Sequence, residues 1–75
     1  MSIKLGKYIH FKGDHYEAIA SAYHSETLEE MVVYHSSQDS SKVWVRPLTL
    51  WNEEVEKGGR MIKRFTYVGE IEDVN

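Results

Sequence analysis

Apolar and polar residues alternate with a period of two along most of the chain, and no helical apolar period lasts beyond about two turns. Lys7 to Lys12 reads as a first strand in which Ile9 and Phe11 alternate with Tyr8, His10 and Lys12. Gly13-Asp14 supplies a turn, since glycine accepts positive φ and aspartate tolerates turn geometry. A second strand runs from His15 to about Tyr23, with Ala18, Ala20 and Ala22 on one face, small enough to admit a second layer or a sharp bend. His24-Ser25-Glu26-Thr27 reads as a loop whose hydroxyls compete for backbone donors. Its rival is a single helical turn capped by Ser25 or Thr27. Met31 to Tyr34 is a third strand, and Ser36 to Ser41 a polar hairpin connection. Lys42 to Arg46 is a fourth, with Val43 and Val45 opposite Trp44 and Arg46, and it is ended by Pro47, which has no amide hydrogen. Leu48, Trp51 and Val55 fall at helical spacing for one or two turns, which Glu56-Lys57-Gly58-Gly59 ends. Met61 to Val68 is the fifth strand, and Glu70 to Asn75 reads as a frayed tail.

This order predicts a mostly β fold: a small five-stranded SH3-like barrel with one short helical turn before the last strand. An OB-like barrel ranks second, because it usually needs a longer chain and a helix between strands three and four. Closure is favoured because both faces carry large side chains, and a flat sheet would leave one of them wet. One domain over 6–69 is expected, with flexible termini at 1–5 and 70–75.

Composition narrows the function classes. Of 75 residues, 24 are Val, Ile, Thr, Tyr, Phe or Trp, which agrees with strands. The length allows one small core of marginal stability. There is no cysteine, so no disulfide and no thiolate metal site can reinforce it. No apolar run approaches a membrane span and none follows Met1 as in a signal peptide, so a cytoplasmic address is expected. The net charge is −3, and Glu70, Glu72 and Asp73 carry all of it, leaving residues 1–69 neutral. A neutral domain is poorly suited to sequence-independent nucleic-acid binding.

Several segments resemble a known family. Tyr8-x-His10-Phe11-Lys12-Gly13, Tyr16-Glu17, the block His24 to Glu29, Val32-Val33-Tyr34, Trp44-Val45-Arg46-Pro47-Leu48 and Arg64-Phe65 are similar to short bacterial proteins grouped as domain of unknown function 1653. The resemblance spans roughly residues 6 to 68. It implies a compact, stand-alone β-rich bacterial domain and supplies no catalytic or ligand residues. Trp51 stands where phenylalanine is expected, and the serine-rich loop replaces a more apolar, tyrosine-bearing segment.

The candidate chemistry lies on polar strand faces. Tyr8, His10 and Lys12 project from one side of the first strand, and Trp44 and Arg46 from one side of the fourth. An aromatic beside a guanidinium can stack a planar group and grip a phosphate or carboxylate. Glu17 and His24 complete the candidate ligand-binding set. Against this stands the plainer reading, in which Trp44 packs under a loop and Arg46 pairs with a surface glutamate.

Adjacent positions on an extended chain point apart, so His24 beside Ser25 is not evidence of a catalytic dyad. His10, His15, His24, His35, Glu17 and Glu26 offer metal-binding atoms but no ligand spacing, and no metal or cofactor is implied. Lys57-Gly58-Gly59-Arg60 is a turn, and Glu53, Glu54 and Glu56 form the solvated side of the short helix. The favoured reading is a non-catalytic binding module for a peptide or small anionic ligand. Alternatives are a single-stranded nucleic-acid or nucleotide binder, a small enzyme using His10 or His24, and a domain that self-associates through a strand edge. A monomer or weak homo-oligomer is expected.

Overall fold

The computed structural model describes residues 3–71. It is mostly β, with seven strands and one four-residue helix: β1 (Gly6–His10), β2 (His15–Tyr23), β3 (Glu30–Ser36), β4 (Asp39–Pro47), α1 (Leu48–Trp51), β5 (Glu54–Lys57), β6 (Arg60–Lys63) and β7 (Phe65–Gly69). Five strands form one antiparallel sheet in the order β4-β3-β2-β1-β7, and β5 and β6 form a separate hairpin.

Several expectations change. The final strand divides at Arg64, whose N–H donates to the Glu53 carbonyl and whose carbonyl accepts from Phe11 N–H. Arg64 thereby sends β6 to pair with β5 and β7 to pair with β1; this division, with β5 as a further strand, gives seven strands instead of five. The helix stops at Trp51 because Glu54–Lys57 is a strand, so Glu54 and Glu56 belong to β5 and two strands intervene before the last one. Gly58 and Gly59, both at positive φ (61° and 79°), close that hairpin in the manner of a type I′ turn. Finally, β4 and β7 are not hydrogen-bonded to each other, so main-chain pairing does not close the expected barrel. The sheet nevertheless curls far enough that the Arg46 guanidinium on β4 lies 5.6 Å from the Phe65 ring on β7.

A bulge at Ile19 contributes to this curl. Ala18 pairs with Tyr34 while Ala20 pairs with Val33, so the extra residue shifts the alternation and bends the strand. The three alanines therefore do not share a face. Ala18 is fully buried beneath the aromatic side, whereas Ala20 and Ala22 lie on the other. The serine-rich stretch is mostly strand, with only Ser37 and Gln38 left in the turn. Residues 24–28 form a turn closed by Leu28 N–H donating to the His24 carbonyl. Tyr8, Ala18, Val32, Tyr34, Trp51 and Phe65 make the core. The expected frayed tail lies largely outside the described residues.

Candidate functional site

Residues directly opposite in an antiparallel pair share a face. The register pairs Tyr8 with Tyr16 and Tyr67, His10 with Phe65, Ala18 with Tyr34, Tyr34 with Trp44, and Val32 with Arg46. Tyr8, His10, Trp44 and Arg46 thus stand on one face, the face that carries the core. The polar side of β1 is therefore the inward side. Tyr8 is buried edge-on against Trp51 at 5.2 Å and Tyr67 at 5.4 Å, and its hydroxyl donates to the Lys4 carbonyl at 2.5 Å. Burial, then the neighbouring Tyr67, raises the pKa of this phenol above its usual value. Tyr8 belongs to the core cluster and also lines a cleft with Lys4, Lys63 and Tyr67.

The other three reach the rim of the aromatic cluster. The His10 ring sits 5.0 Å from Phe65 and 6.3 Å from Tyr16. Its Nδ1 accepts the Lys12 N–H at 3.2 Å, so that nitrogen carries no proton. Partial burial lowers its pKa below 6.5, helped by the cations Arg64, Arg46 and Lys12 and opposed by Asp14. Tyr16 and Tyr34 continue the aromatic row at 5.6 Å, and Tyr34 meets Trp44 at 5.9 Å. Trp44 is 44% exposed.

Arg46 is half-buried over Phe65, with Nε shielded and without a hydrogen-bond partner. No carboxylate among the described residues lies within ion-pair distance of it. Arg64, also near His10, is already committed to Glu53 at 2.8 Å.

The remaining candidates lie elsewhere. Lys12 is exposed in the β1–β2 turn, 5.9 Å from the Phe11 ring. Glu17 projects from the opposite face, 3.8 Å from His35. His24 organises its own turn, its Nδ1 accepting the N–H groups of Glu26 (3.1 Å) and Thr27 (3.3 Å). Among the described residues no three metal-ligating side chains converge, and no helix is long and apolar enough to cross a membrane. Sequence reasoning missed Tyr16, Tyr34 and Phe65 as the platform beneath the site. The Tyr16/Ala18 and Val32/Tyr34 spacings were the available signal.

Two clefts of about 350 and 260 Å³ open on the surface, one beside Asp14 and Tyr16, the other between Lys4, Lys63 and Tyr67. Neither is lined by Arg46 or Trp44.

The model of the family described as Protein of unknown function (DUF1653) matches residues 6–67. The chain belongs to this family. A crystal structure of a DUF1653 protein from Bordetella bronchiseptica is similar at a TM-score of 0.82 and 38% identity, covering 96% of this chain and 95% of that one. None of the curated proteins matches this DUF1653 chain.

Proposed function

We propose that this DUF1653 domain is a non-catalytic binding module that holds a small anionic ligand with a planar group on its aromatic face. Arg46 grips the anion, Trp44 stacks the planar part, and His10 lies at the far end of the row. The observation that carries this reading is Arg46 itself: a half-buried, aromatic-backed guanidinium with no carboxylate partner among the described residues. A partly shielded guanidinium without a carboxylate partner is suited to accept a ligand anion as its pair. The side-chain closure between Arg46 and Phe65 also supports relating the sheet to SH3-like barrels, and a chain without cysteine suits the cytoplasm.

The test is an amide NMR titration of labelled protein with inorganic phosphate, mononucleotides, short oligonucleotides and anionic peptides. Shifts are expected to gather on Trp44 to Arg46 and on His10. Arg46→Gln should weaken binding at least about tenfold, since a charge-assisted hydrogen bond contributes about 1.5–3 kcal/mol. Trp44→Ala should weaken mononucleotide binding but leave phosphate binding unchanged. A flat response across the panel sinks the reading.

A pH dependence follows. The pKa of His10 is depressed in the folded domain, so the unfolded chain takes up its proton first as pH falls below about 6.5. His10 thus contributes stability above that pH and loses it on acidification through the folded pKa. A bound anion beside Arg46 restores the imidazolium, so affinity should rise over the same interval and binding should take up protons. Calorimetry in buffers of different ionisation enthalpy reads this uptake, and His10→Asn should abolish it.

A further inference from the structure

We propose that the cleft between the N-terminal segment, the end of α1 and the β6–β7 junction binds a small carboxylate with an apolar or aromatic body. Lys4 and Lys63 are the charged side chains that line this cleft of about 260 Å³, and no acidic side chain lines it. Neither ammonium group is ion-paired among the described residues. Glu54 opposes Lys63 across the β5–β6 hairpin, yet the two form no ion pair and Glu54 does not line the cleft. A concave surface lined by one sign of charge draws in the opposite sign. Two cations without a carboxylate therefore select an anion and exclude an amine.

The core holds this arrangement in place. The hydroxyl of Tyr8, a buried residue of β1, donates to the Lys4 carbonyl at 2.5 Å, which ties down the backbone of the N-terminal segment. Lys4 Nζ stands 4.6 Å from the centre of the Tyr67 ring, another part of the cleft lining. Lys63 ends β6, immediately before the bend at Arg64 that the Glu53 ion pair anchors. Asn52 follows α1 with its main-chain N–H donating to the Leu48 carbonyl, and its side-chain amide adds a neutral donor. The rest of the lining is apolar. Phe65 and Tyr67 alternate onto one face of β7, Tyr67 opposes Tyr8 on β1, and Ile3 packs beside them. A bare oxyanion would use the ammonium groups and leave the rings uncovered. A carboxylate on an apolar body uses both, with the body against the rings and the carboxylate towards the lysines. Neither Arg46 nor Trp44 lines the cleft, so it is separate from the anion site proposed on the aromatic face, although Phe65 borders both.

The probe is benzoate, titrated into labelled protein and followed through the amides, with benzamide as the uncharged analogue and inorganic phosphate as the bare oxyanion. Benzoate should give saturable shifts at Lys4, Asn52, Lys63 and Tyr67, and the other two much smaller ones. Lys4→Gln and Lys63→Gln should each weaken benzoate binding about fivefold, the upper end for a solvent-exposed charge pair. Both lysines are exposed, so both variants should fold. Lys42→Gln removes an equal charge from β4, away from the cleft lining, and should leave the affinity unchanged. Cleft amides that do not move overturn the proposal, as do benzamide shifts equal to those of benzoate or an equal loss in Lys42→Gln. Shifts confined to His10 and Trp44 to Arg46 place the anion on the aromatic face, which overturns this site and leaves the reading of that face standing. A stronger response to phosphate than to benzoate at the cleft amides overturns the assignment of an apolar body.

Discussion

Trp51→Ala is expected to remove a large share of the domain's stability and to lower its melting temperature more than any other single truncation. The indole is 1% exposed, stacks on Phe65 at 3.8 Å with the planes 3° apart, and receives the edges of Tyr8 and Tyr34 at 5.2 and 5.0 Å. Every strand of the main sheet except β4 thus contributes a core residue to the cluster around it. Truncating a buried tryptophan typically costs about 3–5 kcal/mol. A chain of this length has roughly 4–11 kcal/mol in all. Helix α1 makes the loss worse, because four residues cannot hold a helix without tertiary packing. Once α1 frays, the approach to β5 and the Glu53–Arg64 pair loosen with it. Trp51→Phe is the informative companion. It keeps a ring to stack on Phe65 and removes the indole N–H, which is buried without a hydrogen-bond partner. That variant should fold, with a clearly smaller loss. Thermal unfolding followed by near-ultraviolet circular dichroism checks both. An alanine variant melting within a few degrees of the parent would show that the core is not organised around the indole.

The sequence makes local periodicity visible and non-local pairing invisible, and the elements divide along that line. β2 runs from His15 to Tyr23 as its alternation and the preceding Gly13-Asp14 indicate. Trp44 and Arg46 share a face because spacing alone requires it. Alternation also places Tyr8 with His10, but it cannot say which side of the strand faces the core. Ile9 and Phe11 look like the inward pair, yet Tyr8 turns in because Trp51 and Tyr67, distant in the chain, build an aromatic socket for it. The break at Arg64 interrupts a segment of uniform strand propensity, and only its bonds to Glu53 and Phe11 explain it. The β5–β6 hairpin was legible in principle. Gly58-Gly59 between Val55 and Ile62 is a strong two-residue turn signal, outweighed by the helical spacing of Trp51 and Val55 and by the poor strand propensity of glutamate. Of the site, Arg46 and Trp44 were readable. Their platform was not, because the Ile19 bulge and the curl that carries Phe65 to Arg46 are properties of the assembled sheet.

The same curl makes Gly6 the most constrained backbone position. It lies at φ 145°, a conformation that L-residues rarely adopt. A Cβ at this position would fall 2.5 Å from the Gly69 carbonyl oxygen and 2.8 Å from a Tyr67 ring carbon. Neither neighbour yields easily. The carbonyl belongs to β7, which is registered against β1, and the Tyr67 ring is wedged against Tyr8. Gly6→Ala therefore combines backbone strain of about 1–3 kcal/mol with an overpacking cost of similar size. A loss of about 3 kcal/mol lowers the melting temperature of a domain this size by roughly 12–24 °C. Gly69→Ala separates the two contributions. Gly69 has a comparable φ of 155°, but a methyl group there would meet nothing within 4 Å, so it bears only the backbone strain. Thermal melts of the two variants side by side should show Gly6→Ala markedly lower. Equal melting temperatures would mean that β7 can move away from β1, and that the curl holding Phe65 beneath Arg46 is not fixed by this contact.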